Sequence, residues 1–70
     1  MLPIYLADPA QTLTIKQITG SDKMKKHLEN LGFIIGEPIM LVNRVDNNVI
    51  VKLRGVSMAI TQDLAKRILV

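Results

Sequence analysis

No cysteine occurs anywhere in this chain of 70 residues, and it holds a single histidine, His27. No disulfide can staple the fold, and no thiolate can hold a structural metal. One imidazole does not make a zinc site, which draws on several protein ligands. The length suits one domain, residues 1–70, and a domain this small folds with little stability to spare. Apolar packing must therefore supply the stability. The composition agrees: 49% of the residues are hydrophobic, with one Tyr and one Phe among many Ile, Leu, Val and Met. A small domain cannot bury all of that. Some apolar side chains are expected to stay exposed as a contact for a partner, a second subunit or a membrane-associated protein.

Residues 1–12 read as an extended lead-in, in which Leu2, Ile4 and Leu6 alternate but Pro3 and Pro9 limit pairing to an edge. The lead-in has no basic start and carries Asp8, unlike a signal peptide. No apolar run approaches the roughly 20 residues that span a bilayer. Both features, with the missing cysteines, fit a reducing cytoplasm. Leu13 to Ile18 reads as the first strand. Ser21 or Asp22 then caps a helix from Lys23 to Leu31, with Met24, Leu28 and Leu31 at i, i+4 and i+7 as its apolar stripe. Gly32 ends the helix in the left-handed region, and Phe33 is placed to pack back on Leu28.

Ile39 to Val45 and Val49 to Arg54 flank Asp46-Asn47-Asn48 as a β-hairpin, with Val49, Val51 and Leu53 on one face and Lys52 and Arg54 on the other. After Gly55 a third strand alternates through Val56, Met58 and Ile60. Thr61 caps a helical turn over Gln62 to Ala65, and Ile68 to Val70 is the last strand. The whole predicts a mainly β fold: a small, partly open five-stranded barrel with one inserted helix and a short helical turn before the last strand.

Catalytic chemistry has little support. The four glycines sit at turns and form no phosphate-binding loop, and Asp46 and Asp63 suit a turn and a helix start. No cofactor is expected. The net charge of +3 is compatible with RNA or an anionic surface, but Tyr5 and Phe33 alone do not make a base-stacking platform.

Lys26-His27-Leu28-Glu29-Asn30-Leu31-Gly32-Phe33-Ile34-Ile35-Gly36 resembles the signature of the FeoA family, a helix ending in Leu-x-x-Leu-Gly, a large apolar residue and a second Gly. Gly55-Val56-Ser57-Met58-Ala59-Ile60 is similar to that family's Gly-x-x-x-Ala-apolar strand, and Ala65 to Val70 to its Ala-x-x-Ile-x-Val ending. All three stand in the family's order and spacing. The resemblance implies an SH3-like barrel. It also implies a non-enzymatic cytoplasmic accessory protein of bacterial ferrous-iron uptake. The partner it implies is FeoB, the membrane permease with a cytosolic GTP-binding domain, which would hold the protein at the inner face of the membrane. The barrel also occurs in iron- and manganese-dependent repressors, whose winged-helix part is absent from this chain. His27 and Thr61 stand where the family often has Arg, and the lead-in lacks the Gly commonly found just before the first strand.

Candidate partner-binding residues are Lys23, Lys25, Lys26, His27, Ile34, Ile35 and Tyr5. The three lysines crowd the start of a helix, against its dipole, so they read either as a face for an anionic partner or as a solvated surface. His27 has no companion ligands and flanks the apolar stripe. Ile34 and Ile35, between two turn glycines, cannot both face one core. With Met1, Leu2, Ile4 and Tyr5 they form either a leftover apolar patch or a segment folded over the barrel. Met24, Met40 and Met58 read as core fillers, and Lys52 and Arg54 with nearby Arg44 as an exposed basic face. A homo-oligomer is compatible with the surplus apolar surface. An alternative function is a nucleic-acid-associated or regulatory SH3-like module.

Overall fold

The alternation of apolar and polar residues between Pro38 and Thr61 folds as an antiparallel meander of β3 (Pro38–Val45), β4 (Asn48–Leu53) and β5 (Val56–Thr61) in the computed structural model, which describes residues 1–70. Val49, Val51 and Leu53 are buried and Lys52 is exposed, as the period of two requires. Arg54 and Gly55 join β4 to β5 with φ of 53° and 79°, the all-positive pattern of a type I′ turn. A bulge between Leu41 and Asn43 leaves Val42 without a partner and exposed. β1 (Thr12–Thr14) adds to the other side of β3, so the sheet runs β1-β3-β4-β5.

The strand expected over Leu13–Ile18 is divided. Ile15 buries its side chain completely in the core, and its N–H donates to the Glu37 carbonyl at 2.9 Å. Beyond it the chain leaves the first sheet, and Lys16 N–H donates to the Leu69 carbonyl at 2.8 Å. Gln17–Ile18 is then β2, paired with Ile68–Leu69, β6, in a second sheet. There are thus six short strands in two sheets where five were expected, and hydrogen bonds do not close them into one barrel.

The helix α1 spans Asp22–Asn30, and Ser21 is its cap: the Ser21 Oγ accepts the Met24 N–H at 3.2 Å. At the other end Gly32, with φ of 102°, lets Phe33 N–H donate to the Leu28 carbonyl (3.0 Å) and Gly32 N–H to the Glu29 carbonyl (2.9 Å), the bond pair of a Schellman end. Leu28 and Phe33 both join the core, and Met24 packs against it. Leu31 does not continue the stripe. It is the C-cap and 41% exposed, because the chain turns inward through Phe33 instead. Thr61 caps α2 (Gln62–Ala65), accepting the Leu64 N–H at 3.3 Å.

The lead-in is not extended throughout. Ile4–Leu6 forms a turn of 3-10 helix, and Ile4 and Ala7 are buried. Leu2 and Val70 exchange backbone hydrogen bonds of 2.9 and 2.8 Å beside a Pro3–Leu69 bridge. Arg44, expected on a basic face, instead reaches this turn, and its guanidinium donates to the carbonyls of Tyr5 (2.7 Å) and Ala7 (2.8 Å). The core that results contains no buried polar side chain.

Candidate functional site

Ile34 and Ile35 owe their position to what surrounds them. Gly32 and Gly36 both have positive φ and turn the chain on either side. Phe33 takes the space beneath, with 1% of its surface exposed. Gly36 N–H donates to the Ile15 carbonyl at 2.8 Å and Glu37 N–H to the Ile34 carbonyl at 3.0 Å, which ties the loop to the sheet. The two isoleucines are left 42% and 63% exposed. Both therefore face solvent, where alternation left room for one of them in the core.

With Gln17 and Ile18 of β2, and Lys25 and Glu29 of α1, the segment Phe33–Ile35 borders a groove of about 480 Å³. Its floor is apolar, and one cation and one carboxylate stand on its helix side. Neither charge is in an ion pair; the two salt bridges of the protein are Arg54–Glu37 and Arg67–Asp63. A cleft of this kind suits an apolar side chain presented by a larger partner. The structure thus brings together Lys25, Ile34 and Ile35 of the seven candidates. Lys23, Lys26 and His27 lie on α1 outside the groove lining. Gln17, Ile18 and Glu29 were not singled out in the sequence, because the groove forms only when β2 pairs with the end of the chain.

Tyr5 belongs to a different place. Its ring centre lies 5.6 Å from the Arg44 guanidinium carbon and 5.6 Å from Lys66 Nζ, within cation–π reach of both. Ile4, also expected in a patch with Ile34 and Ile35, is fully buried, while Met1 and Leu2 are exposed.

A second groove, of about 370 Å³, lies along β3 and β4 and is bordered by Lys52, Arg54 and Glu37. Arg54 there is paired with Glu37 at 3.0 Å, so Lys52 is its free charge. No three His, Cys, Asp or Glu side chains lie together. No helix is long and apolar enough to cross a membrane.

Comparison with curated proteins gives no match. Solved structures do match. An iron uptake regulatory protein, FeoA, superposes with a TM-score of 0.85 over 96% of this chain and 91% of that one, at 24% identity. FeoA of Stenotrophomonas maltophilia, solved with zinc and described as a prokaryotic SH3-domain protein, gives 0.81 over 99% and 88%, at 17% identity. A manganese-dependent transcriptional repressor gives 0.83 over 94% of this chain but 38% of the repressor, at 13% identity. These identities speak to the fold, which is SH3-like. The FeoA domain model matches residues 2–70, every residue of the two sheets and both helices, and the chain belongs to the FeoA family.

Proposed function

We propose that this protein is a non-enzymatic, cytoplasmic accessory of ferrous-iron uptake that binds the cytosolic part of a FeoB-type permease through the Ile34–Ile35 groove. One observation carries the transport reading: the FeoA match spans residues 2–70. The Stenotrophomonas relative is itself described in connection with ferrous-iron transport. The groove supports the docking reading, because two adjacent isoleucines are held outward by a loop that is anchored on both sides. Preorganised apolar anchors of this kind carry a large share of binding energy at protein interfaces.

Titration of the isotope-labelled protein with the cytosolic GTP-binding domain tests the proposal. The amides of Ile18, Ile34 and Ile35 should shift together. Ile35→Asp should weaken binding about 30-fold, as expected of an anchor worth about 2 kcal/mol. The same substitution should change stability by less than about 0.5 kcal/mol, since the side chain is exposed. Absence of binding to both the cytosolic domain and the full-length permease overturns the proposal.

A second reading, contact with nucleic acid, has Lys23, Lys25 and Lys26 in its favour, none of them in an ion pair. It requires an affinity for RNA that falls steeply with added salt.

A further inference from the structure

The sheet edges of this protein are not protected alike. β1 has three residues and β2 two, and β6 is flanked by β2 on one side and Pro3 on the other. β5 is different. It pairs with β4 alone, in an unbroken register of six residues from Leu53↔Val56 to Asn48↔Thr61. Its sequence, Val56-Ser57-Met58-Ala59-Ile60-Thr61, has no charge, no proline and no bulge, the devices by which proteins keep edges from pairing. The two-residue turn makes Leu53 and Val56 a hydrogen-bonded pair, so Val56, Met58 and Ile60 bond to β4. Ser57 and Ala59 then direct their N–H and C=O groups away from the sheet. Both residues are exposed, and neither takes part in any backbone hydrogen bond outside the helices and strands.

We infer that this edge pairs with the same edge of a second copy, two β5 strands running antiparallel about a two-fold axis at Met58. In that register Ser57 lies opposite the partner's Ala59, and each such pair exchanges two N–H···O=C bonds. Met58, half-buried against the core, meets its own copy across the axis. The occupant is argued from charge. Like charges opposed across a two-fold axis are what usually forbids self-pairing, and this strand brings none. At its ends, Arg54 and Asp63, the charged residues nearest the strand, are each held in an ion pair within their own copy, with Glu37 and Arg67, so the pairing brings no like charges of these residues together. A six-residue edge is about 20 Å long, which falls short of the area a permanent dimer buries. The association is therefore weak and set by concentration. It uses neither Ile34 nor Ile35, so it stands apart from the docking proposal.

The test is sedimentation equilibrium of the full chain combined with amide hydrogen exchange over a concentration series. The protein should pass from monomer to dimer below about 1 mM, the range of weak protein contacts. Exchange at Ser57 and Ala59 should slow by about tenfold over the same range. Ala59→Lys and Ser57→Glu, both at exposed positions, should each raise the dissociation constant at least about tenfold, as charge on an edge does. Should one variant fail to fold, the other decides. A chain monomeric throughout, a dimer in which Ser57 and Ala59 exchange as fast as in the monomer, or folded variants that dimerise unchanged would each overturn the inference.

Discussion

Ala10 holds φ at 66°, in the left-handed region, while its N–H donates to the Leu41 carbonyl at 2.9 Å. A side chain there costs about 1–2 kcal/mol, and the bond to β3 keeps the residue in place. The family resemblance places a Gly just before the first strand, and Ala10 is two residues from β1. The missing glycine thus left a trace that the sequence alone could only register as a departure. Ala10→Gly relieves the strain but widens the unfolded ensemble. A net stabilisation of about 0.5–1 kcal/mol is expected, read from urea unfolding. Arg44 illustrates the opposite limit of sequence reading. Nothing local marks it as a clamp. Its two bonds reach carbonyls 39 and 37 residues away, across a turn that is not itself written in any periodicity.

Among the elements, α1 was the most legible, because each of its signals is local. Ser21 caps it, Gly32 ends it, and Leu28 meets Phe33 five residues on. What periodicity overstated was the stripe, since Leu31 falls after the last helical turn and the chain then dives inward at Phe33. Leu28 is therefore the single fully buried residue of the helix. Leu28→Ala should destabilise the protein by about 2–5 kcal/mol and, because Leu28 shares the core with the groove residue Phe33, loosen the groove. Thermal unfolding measures the first effect, and loss of resolved Ile34 and Ile35 resonances the second. The hairpins and the Thr61 cap were legible for the same local reasons. The division of Leu13–Ile18 was not: its two halves are separated by pairing with β3 on one side and β6 on the other, and nothing within six residues encodes that choice.

Over the whole molecule, both ends of the chain converge on β6. This strand has β2 on one flank and Leu2–Pro3 on the other, and Ile68 within it is fully buried. Ile68→Ser removes apolar packing and leaves a hydroxyl in a core that holds no other polar side chain. The loss should be about 3–5 kcal/mol, most of the stability that a domain this small possesses. Far-UV circular dichroism at 37 °C should show a largely unfolded chain. The candidate site follows the same rule of scale. Lys25, Ile34 and Ile35 were visible as residues, but the groove they share with Gln17, Ile18 and Glu29 exists only once the second sheet has formed.

The exchange of hydrogen bonds between Leu2 and Val70 also fixes how the protein responds to load. The two ends leave the same spot on antiparallel segments. A pull applied between them strains one bond pair at a time, from the outside inward, as a zipper opens, rather than shearing all pairs at once. Held by its ends in an optical trap, the domain should yield at low force, with β6 peeling away before the β3-β4-β5 meander gives.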